Sequence, residues 1–313
     1  MTRKIIFDTD PGQDDAVAIL VALASPEELD VLGLVTVAGN VGVALTSRNA
    51  RQIVELAGRS DVPVFAGCDR PTRRASITGS HVHGEGGLNG PDLPPPTTPL
   101  RPEHGVDFII ETLAAHEPGT VTLCTLGPLT NVATALERAP DVVRRAEAIV
   151  MMGGGYFEVG NITPVAEFNI YFDPEAADAL FRSGIPIVMH PLDVTHGVLN
   201  TPARLDRFAG LGNRTGKAVA EMLRFSETFD LAKYGWHGAP LHDPCVTAWL
   251  LRPDLFQTRA VNVTIETTSE LTMGMTVVDY WQVTDRPHNA TFVRSVDATG
   301  FYDLLAERLA RLP

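Results

Sequence analysis

The chain has no apolar run long enough to span a membrane, and its first ten residues, MTRKIIFDTD, hold no stretch that reads as a signal peptide. Cysteine is scarce. Cys68, Cys124 and Cys245 are the only three in 313 residues, an odd number without paired spacing. That excludes a disulfide framework and leads us to expect reduced thiols in a cytoplasmic protein. Positive charge is also short: 25 Lys and Arg stand against 38 Asp and Glu, for a net charge of −13. So acidic a surface excludes nucleic acid and anionic membrane as main partners. It also disfavours a highly anionic substrate unless a metal or a local basic pocket intervenes. No internal repeat and no linker is visible. The composition is globular, 44% hydrophobic and 20% charged, and a single domain over residues 1–313 is expected.

Apolar segments of strand length alternate with helical patterns. Strands are expected at 3–7, 31–37, 62–66, 120–126, 148–152 and 185–189. Helices are expected at 14–24, 46–57, 106–115, 129–136 and 174–181. The strands are apolar on both faces, which predicts an α/β fold: a mostly parallel central sheet flanked by helices, a Rossmann-like open sheet. Residues 67–104 are rich in Pro and Gly with weak periodicity, so a functional or mobile loop is expected there. After Asp254 the pattern turns to β alternation at 261–267, 273–278 and 290–293, and a helix at 300–312 closes the chain.

Ligands of open parallel sheets bind beyond the carboxyl ends of the strands. The first such end reads DTDPGQDDAVAIL, with Asp8, Asp10, Asp14 and Asp15 crowded between two apolar segments. A helix N-cap explains one aspartate but not four. Uncompensated, the group would raise its own pKa values or spread apart, and a hard divalent cation with oxygen ligands resolves the conflict. The spacing is not that of an EF-hand, because Ile19 would stand at its twelfth position.

This block resembles the signature of the inosine–uridine-preferring nucleoside hydrolases, calcium-dependent N-ribohydrolases. The likeness continues, in that family's order, through VAGNVGV (37–43), HVHGEGGL (81–88), LGPLTNVATAL (126–136), VMMGGG (150–155), GNITPVAEFN (160–169) and PLHDP (240–244). The resemblance implies the nucleoside hydrolase fold. It implies hydrolysis of purine and pyrimidine ribonucleosides to base and ribose through an oxocarbenium-like transition state, a role in nucleoside salvage, and a homodimer or homotetramer. It implies Ca²⁺ held by Asp10, Asp15, the Leu126 carbonyl and Asp243. Asp10 would be the general base and Asp14 the holder of a ribose hydroxyl. Asn40, Met152, Asn161, Glu167 and Asn169 would surround the sugar. His242 would protonate the leaving base, and His83 would line the base pocket; an unperturbed imidazole, at ~6.5, delivers a proton near neutrality.

Plainer readings stand beside these. Asp243 in HDPCVTAW suits the N-cap of a helix with Pro at N1. Asn161 and Asn169 suit turns. Phe225, Phe229, Tyr234 and Trp236 recur at helical spacing, as core residues do. His81, His196 and His237 read as structural. Asp8 has no role beyond orienting its neighbours. The Gly153–Gly155 run lacks the Lys-Ser/Thr of a P-loop and suggests close backbone approach to the sugar. Two rival functions remain at this point. One is a Mg²⁺-dependent phosphatase of the haloacid dehalogenase type, which shares the D-x-D start but would want Thr or Val where Gly12 stands. The other is a nucleoside- or ribose-binding protein without turnover.

Overall fold

The computed structural model describes residues 2–313, apart from the side chain of His81. Seven strands in chain order are β1 (Arg3–Thr9), β2 (Leu29–Thr36), β3 (Val64–Ala66), β4 (Leu100–Arg101), β5 (Val121–Thr125), β6 (Ala148–Met152) and β7 (Ile187–His190). Two further strands, Phe256–Val261 and Ala290–Val296, complete a nine-stranded sheet. Its order runs Phe256–Val261, Ala290–Val296, β7, β6, β5, β1, β2, β3, β4. Every neighbouring pair is parallel except the first, where the edge strand Phe256–Val261 runs antiparallel to Ala290–Val296. The predicted mostly parallel sheet is therefore present.

The both-faces-apolar strands have the expected cause. One hydrophobic cluster covers each face of the sheet, with Ile5 and Phe7 of β1 in the first and Ile6 in the second. Helix α1 (Gln13–Leu23) is buried almost all round, because it packs against helices Pro244–Leu251 and Arg214–Tyr234 as well as the sheet. Each of its fully buried Val, Ile and Leu side chains contributes ~1.5–3 kcal/mol of hydrophobic burial.

The C-terminal region departs from expectation. The alternation at 261–278 forms a separate ribbon of Val263–Ile265 and Thr276–Val278, off the main sheet. The edge strand begins earlier, at Phe256. Residues 202–234, where the sequence offered only the helical spacing of Phe225, Phe229 and Tyr234, form helices Pro202–Ala209 and Arg214–Tyr234. Pro202–Ala209 buries only Leu205 and Phe208 and is short, and the apolar face of Arg214–Tyr234 is interrupted by charge, so length and pattern together signal them weakly. The loop 67–104 contains the short helix Ser80–His83 and strand β4. Among the described residues no helix is long and apolar enough to cross a membrane.

Strand β1 is the topological switch point: β2 to β4 extend on one side of it, β5 to β7 on the other. Loops leaving β1 and β5 diverge there, which opens a crevice at their carboxyl ends. The Asp8–Asp15 segment follows β1, and Leu126 follows β5.

Candidate active site

A cleft opens at that crevice. It is lined by Asp10, Asp14, Asp15, Asn40, His83, Leu126, Met152, Asn161, Glu167, Asn169, His242 and Asp243, so the fold brings together all twelve residues singled out in the sequence. Asp8 is not among the lining residues. It is buried one layer below, where Asn131 Nδ2 donates to Oδ1 at 2.7 Å, and burial raises its pKa to about 7.

The acids are not solvated. Asp10, Asp15 and Asp243 are buried and Asp14 is half-buried. Asp15 sits at the third position of α1, where its Oδ2 accepts from Gly12 N at 3.0 Å. Its Oδ1 accepts from Thr9 Oγ1 at 2.5 Å and from Asp10 N at 3.2 Å. These bonds turn the strand-to-helix junction into a rigid corner. Asp10 Oδ2 accepts from Asn40 N at 2.7 Å. Its carboxylate lies between two glycines: a Cβ at Gly39 would be 2.1 Å from Oδ2, and one at Gly127 would be 2.3 Å from Oδ1. Only backbone without a side chain leaves room for this acid.

Asp243 stands before helix Pro244–Leu251, but its side chain makes no capping hydrogen bond. The N-cap explanation for this aspartate therefore fails. One carboxylate oxygen from each of Asp14, Asp15 and Asp243 lies within 4.8 Å of the others. Burial, followed by the charges of its neighbours, pushes Asp10 and Asp243 well above the usual carboxylate range, and Asp14 and Asp15 rise for the same first reason. Such a set of hard oxygen donors, all mutually destabilised when ionised, fits a hard divalent cation.

The amides are not idle turn residues. Asn169 Nδ2 donates to the Leu126 carbonyl at 2.7 Å and to the Met152 carbonyl at 3.3 Å, tying the ends of β5 and β6 together. Asn40 Nδ2 donates to the Asp10 carbonyl at 3.1 Å. Asn161 Oδ1 accepts from Phe168 N at 3.0 Å, so this side chain also has a turn-forming part. Glu167 is the N-cap of helix Phe168–Phe172: Oε1 accepts from Asn169 N, and Oε2 from Gly154 N and Ile170 N. Burial raises its pKa to about 7. The glycine run does not line the cleft. Gly154, at φ +78°, instead delivers its N–H to Glu167, and a Cβ there would meet Met189 at 2.4 Å.

His83 Nδ1 pairs with Gln13 Oε1 at 2.7 Å. His242 Nδ1 pairs with Thr195 Oγ1 at 2.7 Å. The expectation of a protonated His242 near neutrality is not met: burial, then the nearby His196 and His83, lower its pKa to about 3, so the ring is neutral at pH 7. His196, read as structural, bonds Glu158 Oε2 through Nδ1 at 3.0 Å and packs edge-on to Trp236. The side chain of His81 lies outside the described residues.

Residues 5–303 match the family described as inosine-uridine preferring nucleoside hydrolase. The chain belongs to that family. Its enzyme class follows: a nucleoside hydrolase, a glycosidase acting on N-glycosyl compounds. The chain is similar to an uncharacterized protein of Schizosaccharomyces pombe, 58% identical over 310 residues, covering 99% of this chain and 100% of the relative. It is 48% identical over 312 residues to the pyrimidine-specific ribonucleoside hydrolase RihA of Photobacterium profundum, covering 99% of each. Among solved structures, the purine-preferring ribonucleoside hydrolase from Gardnerella vaginalis superposes with a TM-score of 0.91 at 32% identity over 98% of both chains.

The far wall of this nucleoside hydrolase cleft was not legible as such. Ser226, Phe229, Asp230, Lys233 and Tyr234 of helix Arg214–Tyr234 all line it. Phe229 and Tyr234 thus face the cleft instead of a core, while Phe225 is 37% exposed. Trp236 stacks on Tyr234 at 4.6 Å. Asp230 is pushed up to about 6 by burial and the charge of Asp14, with Lys233 opposing. The available signal was the run of polar and aromatic residues spaced three and four apart, which marks one helix face without saying what that face meets.

Proposed function

We propose that this nucleoside hydrolase cleaves ribonucleosides to ribose and free base with Ca²⁺ in its acid cluster. The observation that carries the reading is the convergence of Asp14, Asp15 and Asp243 at one end of a cleft that Asp10 also lines, with the amides of Asn40, Asn161 and Asn169, Glu167 and the histidines His83 and His242 around it. The Asp10, Asp15 and Asp243 carboxylates and the Leu126 carbonyl would hold the cation. When bound, Ca²⁺ supplies positive charge that offsets the acids and orients both the attacking water and vicinal ribose hydroxyls.

The chain's own residues then act as follows. Asp10, locked by Asn40 and two glycines, takes the proton of the attacking water. The water oxygen bonds to C1′ while the C1′–N bond breaks and its electron pair leaves with the base. Asp14 accepts from a ribose hydroxyl, and Asn40, Asn161, Glu167 and Asn169 partner the other sugar oxygens. Met152 offers the ring an apolar contact. Glu167, raised to about 7 by burial, adds negative charge that favours the developing cation at pH values above that, where it is ionised. His242 starts neutral, so it donates a hydrogen bond to the departing base, and His83 lies along the same pocket.

Nucleoside salvage in the cytoplasm is the role this activity fits. One domain accounts for the continuous sheet. A homodimer or homotetramer is supported by the exposed aromatic group of Phe157 and Trp281, 42% and 64% accessible, packed around Tyr280.

The test is ribose release from inosine, adenosine, uridine and cytidine by calcium-loaded protein. The pyrimidine-specific and purine-preferring names of the similar proteins make all four necessary. Free ribose from at least one is expected. Binding without ribose release, or phosphate release from a sugar phosphate instead, would overturn the reading.

A further inference from the structure

Seating ribose on the acids points the base away from them, towards helix Arg214–Tyr234; this step rests on the function proposed above. Ser226, Asp230 and Tyr234 recur at four-residue spacing along that helix, with Phe229 and Lys233 beside them, so one stripe faces the base. Two of these residues are charged. Lys233 is committed: its Nζ donates to the Asn161 carbonyl at 2.9 Å and lies over the rings of Phe229 and Tyr234. Asp230 is not. It is half-buried, and among the described residues its carboxylate accepts no hydrogen bond. A half-buried acceptor without a protein donor is stabilised by a donor from the ligand and opposed by a second acceptor.

We propose that Asp230 is a specificity-determining residue whose carboxylate accepts a hydrogen bond from an exocyclic amino group of the base. Cytosine and adenine carry N–H donors where uracil and hypoxanthine carry a carbonyl oxygen. A carbonyl opposite Asp230 sets two acceptors against each other with little water to separate them. The departing base also gains negative charge, which Asp230 opposes unless an amino group stands between. The enzyme therefore favours amino-bearing nucleosides over their oxo counterparts.

The experiment compares kcat/KM within two pairs, cytidine against uridine and adenosine against inosine, for the full chain with Ca²⁺ at pH 8. The amino member leads in both pairs for the unmodified protein. Asp230→Asn is nearly isosteric but presents a donor as well as an acceptor, and it shrinks the amino-to-oxo ratio about tenfold in both. Asp230→Glu keeps the acceptor and the sign of the preference. Thermal melting verifies that each variant is folded, and Asp230→Ser, which also removes the charge, replaces an Asn variant that is not. An oxo preference in the unmodified protein, a ratio within twofold of it in Asp230→Asn, or a change in one pair only overturns the proposal. If no nucleoside yields ribose, the proposed function fails instead, and the same ratios read from calorimetric binding of the four nucleosides decide the role of Asp230.

Discussion

Substituting Gly127 by Ala tests the placement of Asp10 without touching its chemistry. The new methyl would sit 2.3 Å from Asp10 Oδ1 and 2.8 Å from its Cγ, where real side chains do not come closer than 3.0 Å. The carboxylate must therefore retreat by about 0.7 Å. It has nowhere to go. Its other oxygen is held by Asn40 N at 2.7 Å and packs so closely on Gly39 that this position has room for no side chain. Gly127 is not among the glycines with positive φ, so the methyl adds no backbone strain of its own. Overpacking of this kind costs ~1–3 kcal/mol of stability. A displacement approaching 1 Å at a reacting group costs ~10²-fold in rate. We expect kcat/KM for ribose release to fall about a hundredfold. The protein should remain folded, its melting temperature lowered by ~1–2 °C per kcal/mol for a chain of this length. Gly42→Ala is the control, since a Cβ there meets nothing within 4 Å. A Gly127→Ala protein with activity within threefold of the parent would refute the claim that Asp10 acts from this slot.

Chelation of the cation should abolish turnover and, because Asp8 and Glu167 have folded-state pKa values raised to about 7, leave a protein whose stability falls as pH rises from ~4 through 7. Both groups hold their protons more tightly when folded, so the sign is loss at high pH; added Ca²⁺ should raise the melting temperature of this form most at pH 8, and calcium-independent melting would contradict the scheme. His190 gives the opposite slope. Burial lowers its pKa to about 3, and its Nε2 has no partner among the described residues. Stability should therefore be lost as pH falls from 6.5 towards 3, by at most ~5 kcal/mol, and urea titrations of His190→Phe should show a flatter acid limb. Thr195→Val removes the hydroxyl from His242 Nδ1 and should lower kcat for uridine ~10-fold with little change in KM, while Thr195→Ser restores it; equal activity of both variants would show that the contact does not orient the ring.

Much of this protein is written locally. Strands apolar on both faces can be satisfied only between two layers of helices, so the alternation of β1, β2, β3, β5, β6 and β7 with helical segments implied the parallel sheet, while the short exposed β4 inside the loop 67–104 left no such signal. The DTDPGQDD corner was legible because four acids cannot crowd a strand-to-helix junction without a compensating charge. The tertiary structure alone decided what depends on partners remote in the chain. Local sequence offered Asp243 as a helix cap and only the family resemblance made it a ligand; packing is what sets its carboxylate beside Asp14 and Asp15 without a capping bond. His242 looked able to carry a proton at neutrality, until burial beside His196 and His83 removed that charge. Asp230 and Tyr234 became cleft residues because helix Arg214–Tyr234 crosses above a crevice formed by other segments. Periodicity reports which face of an element is apolar, whereas desolvation and mutual charge are set by whatever the fold places against that face.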